Sequence, residues 1–158
     1  MRAVDYPAER KRQSCVIWDM KTLLTSILLL LLTFSLAAAQ EARADYYENG
    51  QKKYQGNIQN GKKVGEWVYY HDNGQISREG IYKEGAPFDL WKEYYRSGQL
   101  KSEGKYIVLK GEAVKHGLWT TYHKNGAKEF EGRYDSGKAV GTWFEYNTLG
   151  IEINKVNH

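Results

Sequence analysis

After residue 40 the chain alternates apolar and polar positions in short runs, and the pattern keeps restarting. Trp67, Trp91, Trp119 and Trp143 open successive copies, 24, 28 and 24 residues apart. Each copy runs from its tryptophan through tyrosines to a turn glycine (Gly50, Gly74, Gly98, Gly126, Gly150). It then passes through a polar stretch with a glycine at its centre, at Gly56, Gly80, Gly104 and Gly132. A period of two between closely spaced turn signals is the mark of strands, and no helical period occurs after residue 40. The spacing therefore predicts an all-β fold, a single-layer antiparallel meander of nine or ten strands. Its repeated hairpins form units near residues 46–66, 67–90, 91–118 and 119–142, with a partial unit at 143–155.

Each unit has two turn signals. The first is Asn49-Gly50, Asn73-Gly74, Ser97-Gly98 and Asn125-Gly126; the second is Asn60-Gly61, Glu84-Gly85 and Ser136-Gly137. Asn-Gly between aromatic and β-branched runs predicts a two-residue type I′ turn, which needs positive φ at both positions. Counting back from such turns sets Trp67 opposite Gly80, Trp91 opposite Gly104 and Trp119 opposite Gly132. The glycine then leaves room for an indole laid across the strand. On the outer side the same count sets Trp67 by Tyr54, Trp91 by Arg78, Ser102 by Trp119 and Phe130 by Trp143. It also places Gly56 against Gly65, Gly80 against Asp89, Gly104 against Gly117 and Gly132 against Gly141.

The step of 28 residues contains an insertion in "YIVLKGEAVK", residues 106–115. It adds two residues to each of two strands, one full side-chain period, so both strands keep their faces. One hairpin then outgrows its neighbours, with Ile107, Val108, Leu109, Ala113 and Val114 at its tip. An apolar tip beyond a regular sheet needs a partner or must fold back on the sheet, which makes these five the candidate partner-binding residues.

Charge adds little. From Gln40 onward there are 18 Lys and Arg against 16 Asp and Glu, with the signs interleaved, so no basic face for nucleic acid is expected. The N-terminus changes the picture more. Lys21, the apolar run from Leu23 to Leu36 and the small residues at 37–39 predict a secretory signal peptide over residues 1–39, with a signal helix and a mature chain from Gln40. Met20 reads as the natural start, and residues before it as an extension. The alternative is an uncleaved membrane anchor. Either way the chain is expected outside the cytoplasm: periplasmic, outer-membrane-associated or extracellular. The single cysteine, Cys15, lies before that point, so neither a disulfide framework nor a cysteine nucleophile is expected in the mature part.

The set Gly65, Trp67, Tyr70, Asn73, Gly74, Glu79, Gly80, Tyr82 and Gly85 resembles the MORN repeat in its bacterial variant, and the resemblance extends over about residues 46–150. Bacterial chains of this kind carry the label YwqK-like antitoxin, and MORN arrays elsewhere act as scaffolds for proteins or phospholipid membranes. The resemblance implies a hairpin array and a role in contact.

Catalytic chemistry is not expected. Glu79, Glu103 and Glu131 lie on alternate strands, about 10 Å apart, and read as cross-strand polar partners of Val68, Lys92 and Thr120. His71 and His123 stand two units apart, about 19 Å at ~4.8 Å per strand, too far to share a metal, and read as solvated strand ends. No cofactor site is expected. The aromatic rows read first as the core that a single sheet must supply for itself. The function expected from these residues is a non-enzymatic protein–protein interaction module. The alternatives are a glycan- or membrane-surface binder and an antitoxin.

Overall fold

The computed structural model describes residues 39–158, and the expected signal segment and its helix lie outside them. Ten strands follow in chain order: β1 (Glu41–Tyr46), β2 (Lys52–Gln59), β3 (Lys62–Tyr70), β4 (Ile76–Lys83), β5 (Ala86–Tyr94), β6 (Leu100–Leu109), β7 (Glu112–Tyr122), β8 (Lys128–Asp135), β9 (Lys138–Tyr146) and β10 (Glu152–Asn157). They form one sheet in that same order, each strand antiparallel to the next. No helix occurs among the described residues. The meander predicted from the repeat is the fold.

Of the two turns of each unit, the first departs from the type I′ expectation and the second meets it. At the first turn only the glycine has positive φ, as at Gly74 (84°). The Gly74 amide donates to the His71 carbonyl at 2.9 Å and the His71 amide to the Gln75 carbonyl at 2.7 Å. This is a type I turn closed by a glycine bulge, not a type I′ turn. Asn73 helps to hold it, its Oδ1 accepting from the Gln75 amide at 3.2 Å. The type I′ geometry belongs to the second turn, where both residues are left-handed: Asn60 (52°) and Gly61 (73°), Glu84 (52°) and Gly85 (90°), Ser136 (51°) and Gly137 (89°).

The inner register follows the sequence count: Trp67 pairs with Gly80, Trp91 with Gly104, Trp119 with Gly132, and Lys92 with Glu103. The outer register does not. Gly80 pairs with Trp91 and Gly104 with Trp119, while Tyr54 faces Tyr69, Arg78 faces Glu93, Ser102 faces Thr121 and Phe130 faces Glu145. The cause is a bulge just before each tryptophan. Its marker is a left-handed residue, Gly65 (66°), Asp89 (57°), Gly117 (73°) or Gly141 (67°). Between the pairs Gly80–Trp91 and Ile81–Phe88, Asp89 and Leu90 are left over, so the ladder slips by two. The glycines therefore do not face Gly65, Asp89, Gly117 and Gly141.

This slip decides where the indoles lie. Each ring covers the glycine of the preceding strand: Trp67 over Gly56, Trp91 over Gly80, Trp119 over Gly104 and Trp143 over Gly132. A Cβ placed on any of these four glycines would stand 2.1–2.3 Å from ring carbons. At the register break, Nε1 of Trp67, Trp91 and Trp119 donates to the carbonyls of Asn57, Ile81 and Lys105 at 3.1–3.2 Å. Between the indoles stand tyrosines. Tyr54, Trp67, Tyr82, Trp91, Tyr106, Trp119, Tyr134 and Trp143 form one continuous stack with centroids 5.0–6.4 Å apart, mostly edge to face. Such pairs add about 0.5–1.5 kcal/mol each beyond the area they bury.

A single sheet has no second layer to cover this stack, so long cationic side chains do it. Lys63 Nζ lies 4.4 Å from the Trp67 ring centre, Lys115 Nζ 4.2 Å from that of Trp119, and the Arg78 guanidinium 4.2 Å from that of Tyr69. The charged ends themselves lie over the ring faces, as cation–π partners, and Lys63 Nζ also donates to the Tyr69 hydroxyl at 2.7 Å. Trp67 is left only 1% exposed.

Candidate functional site

The longest hairpin is the one the insertion predicts. β6 has 10 residues and β7 has 11, against 6–9 elsewhere. Ile107 pairs with Val114, Val108 with Ala113 and Leu109 with Glu112, so the strands stay paired to the end and do not fold back on the sheet. The alternation puts Val108 and Ala113 on the tryptophan side, and Ile107, Leu109 and Val114 on the other. A tight turn at Lys110 (52°) and Gly111 (88°) closes it.

This tip lacks a tie its neighbours have. The Gly85 amide donates to the Lys63 carbonyl and the Gly137 amide to the Lys115 carbonyl, both at 2.9 Å, fastening each second turn to the hairpin before it. Gly111 makes no such bond, and nothing would meet a Cβ there within 4 Å. A groove runs between this tip and the β4–β5 turn, lined by Lys83, Ala86, Phe88, Ile107 and Val108. Val108 is 37% and Leu109 40% exposed, while Ile107, Ala113 and Val114 are half-buried.

The predicted tryptophan row presents no open binding platform. Trp67, Trp91 and Trp119 are buried, and Trp143 is half-buried. The opposite face carries exposed apolar residues of its own. Leu90 (41%) and Leu118 (48%) precede tryptophans and point away from them, and Ile81 stands beside Phe88. Sequence reasoning did not single these out. The available signal was their place, one residue before a tryptophan already assigned to the other face.

The histidines and glutamates have structural partners. His71 Nε2 lies 3.1 Å from the Tyr94 carbonyl and His123 Nε2 2.8 Å from the Tyr146 carbonyl. Tyr47 and Tyr95 take the same position, their hydroxyls donating to the Tyr70 and Tyr122 carbonyls at 2.7 Å. These rings tie each first turn to the next unit, so His71 and His123 are cross-links between units rather than solvated ends. Asn49, Asn73 and Asn125 add a parallel tie, each Nδ2 donating to a carbonyl 23 residues on. Glu79 accepts from the Tyr94 hydroxyl at 2.6 Å and Glu103 from the Tyr122 hydroxyl at 2.9 Å, while Glu131 pairs with Lys128 at 2.5 Å. Among the described residues no group of three or more His, Cys, Asp or Glu is arranged to hold a metal.

These tyrosines carry a pH signature. Burial first, then the bond to Glu79 or Glu103, pushes the Tyr94 and Tyr122 hydroxyls up to about 12; burial and the Tyr69 bond do the same for Tyr82. Above pH 10 the unfolded chain ionises these phenols while the fold keeps them protonated, so their contribution is complete below pH 10 and falls as pH rises through 12. A urea midpoint that is level through pH 9 and drops between pH 10 and 12 is expected. Tyr94→Phe together with Tyr122→Phe should flatten that drop.

Each of three segments, residues 63–84, 90–107 and 115–136, matches the MORN repeat variant. No curated protein matches the chain. Among solved structures, one described as accessory secretory protein 1, 2 and 3 in Streptococcus pneumoniae is similar at 16% identity and a TM-score of 0.35. The alignment covers 73% of this chain and 21% of that one, so this chain spans about a fifth of its length. Every matched segment holds one tryptophan, its paired glycine and the tyrosine two residues later, so the chain carries three hairpins of the MORN repeat variant type.

Proposed function

We propose that this chain is a non-enzymatic, exported protein–protein interaction module that engages its partner through the β6–β7 tip. The observation carrying this reading is the tip itself: two exposed apolar residues, Val108 and Leu109, on a hairpin that outgrows the array and lacks the backbone tie of its neighbours. The stack and its ties give the hairpin a rigid base, and the groove beside Phe88 offers a concave seat. The apolar face around Ile81, Leu90 and Leu118 gives the partner a second surface to cover. Export rests on the N-terminal apolar run and its small-residue exit.

The test removes Val108, Leu109, Glu112 and Ala113 together, which closes Ile107 on Val114 across the same Lys110-Gly111 turn and keeps every face. Affinity capture from envelope extracts with the tagged full chain should retain one protein in near-equal amount. The trimmed chain, and separately Leu109→Asp, should lose it while keeping the wild-type circular dichroism. Capture unchanged by trimming sinks the reading. Salt-resistant binding to polysaccharide or lipid vesicles would favour a surface binder. Relief of a neighbouring gene product's toxicity on co-expression would favour the antitoxin role.

A further inference from the structure

The two edge strands depart from the pattern of the strands between them at one matched position each. In the interior, a tryptophan strand lies over a glycine strand, and the indole occupies the space of the missing side chain. β10 is a glycine-type strand by register, since Val156 pairs with Trp143 as Gly80 pairs with Trp67 and Gly104 with Trp91. It carries valine where the others carry glycine. β1 is a tryptophan-type strand by the same criterion, since Arg43 pairs with Gly56. It carries arginine where the others carry tryptophan.

We infer that Arg43 and Val156 terminate the array, and that they keep copies of this chain from joining end to end. Such joining is otherwise available. β1 and β10 run in opposite senses, so the β1 of a second copy could continue the meander antiparallel beyond β10. Among the described residues both are edges with no further strand beside them: all six residues of β10 and five of six in β1 are exposed. Open edges of this kind invite strand addition unless something blocks them. A Cβ at the interior glycines would stand 2.1–2.3 Å from indole carbons, and Val156 puts a Cβ and two methyls in that space. Arg43 brings no ring to the next strand and would lose solvation there. The stack itself stops on a smaller polar ring: His158 packs on Trp143 with centroids 6.0 Å apart, its amide donating to the Gly141 carbonyl at 3.0 Å.

The test treats the two ends as separable donor and acceptor. Full-length Arg43→Trp and Val156→Gly chains, differently tagged, are mixed in mild detergent, captured by one tag and probed for the other. Arg43→Trp should retain Val156→Gly at least about tenfold better than any other combination. It should do so in a 1:1 complex that grows no further, because the remaining ends are still Val156 and Arg43. The double variant alone should form longer head-to-tail species. Val156→Ala, which keeps a Cβ, should not be retained. Where Arg43→Trp disturbs β1, Arg43→Tyr supplies a ring of similar reach. The inference is overturned if wild type retains itself as well as the mixed pair does, or if Arg43→Trp retains wild type equally. It is likewise overturned if the mixed pair stays apart while both variants keep the wild-type near-ultraviolet dichroism.

Discussion

Gly80→Ala is expected to destabilise the sheet by about 3 kcal/mol, near the upper end of what one inserted methyl does in a packed core. The direction opposes the general rule. Glycine inside a strand is ordinarily worse than alanine by about 0.5–1 kcal/mol, so an open site would gain from the change. Here the new methyl meets three Trp91 ring atoms at 2.3–2.7 Å, and the ring cannot retreat. Tyr82 stands 5.1 Å away edge-on, and the Ile81 carbonyl holds Nε1. The decisive measurement is a double-mutant cycle by urea unfolding. Trp91→Ala should abolish the penalty and make alanine at 80 neutral or mildly favourable. Trp67→Ala should leave the penalty intact, although Trp67 is the residue paired with Gly80 on the inner side. Rescue by the Trp67 change instead would refute the placement of the indoles.

Trp67→Ala should cost about 3–5 kcal/mol, the range for deleting a large buried aromatic side chain. Trp67 is the most buried side chain described, touching Tyr54, Tyr69 and Tyr82 at centroid distances of 5.7–6.0 Å under the Lys63 ammonium. Its loss also strands the Asn57 carbonyl. Trp143→Ala is the internal comparison. Trp143 is half-buried, its Nε1 has no hydrogen-bond partner among the described residues, and on its outer side it meets the edge strand at Val156 and the small polar ring of His158. A markedly smaller loss is expected there, and equal losses would contradict the account. In an array whose units contact only their neighbours, the Trp67 lesion should also speed hydrogen exchange most in β2 to β4.

The strands, their order and the inner register were legible in the sequence because turn glycines and tryptophans recur at fixed spacing. The outer register was not. A glycine two residues before a tryptophan announces positive φ, but not whether the ladder continues or slips by two. The pairing counted from the turns would have set Gly56 against Gly65 and left the indoles with no bare backbone on the preceding strand. That vacancy was the clue to a bulge. The first turn was misjudged because Asn-Gly fits two turn types locally. The asparagine does not decide between them, since Ser97-Gly98 and Leu149-Gly150 form the same bulged turn without it. The candidate tip could be read from spacing alone. Alternation alone would have set Leu90 and Leu118 on the face opposite their tryptophans, whereas their exposure depends on that face having no second layer.

The ties at the first turns explain where this chain tolerates extra length. The Tyr95 hydroxyl still reaches the Tyr122 carbonyl across the insertion, 27 residues on instead of 23, so the added residues leave that side of the sheet undisturbed. One margin of the sheet is thus laced by side chains, whereas on the other the Glu84-Gly85 and Ser136-Gly137 turns are tied by a backbone bond and the Asn60-Gly61 and Lys110-Gly111 turns are not. Foreign sequence grafted at Asn60-Gly61 or Lys110-Gly111 should be carried without disturbing the scaffold, whereas the same graft at Asn73-Gly74 would cut a seam. The architecture separates a conserving side from an exploratory one, and new recognition surfaces would arise on the second.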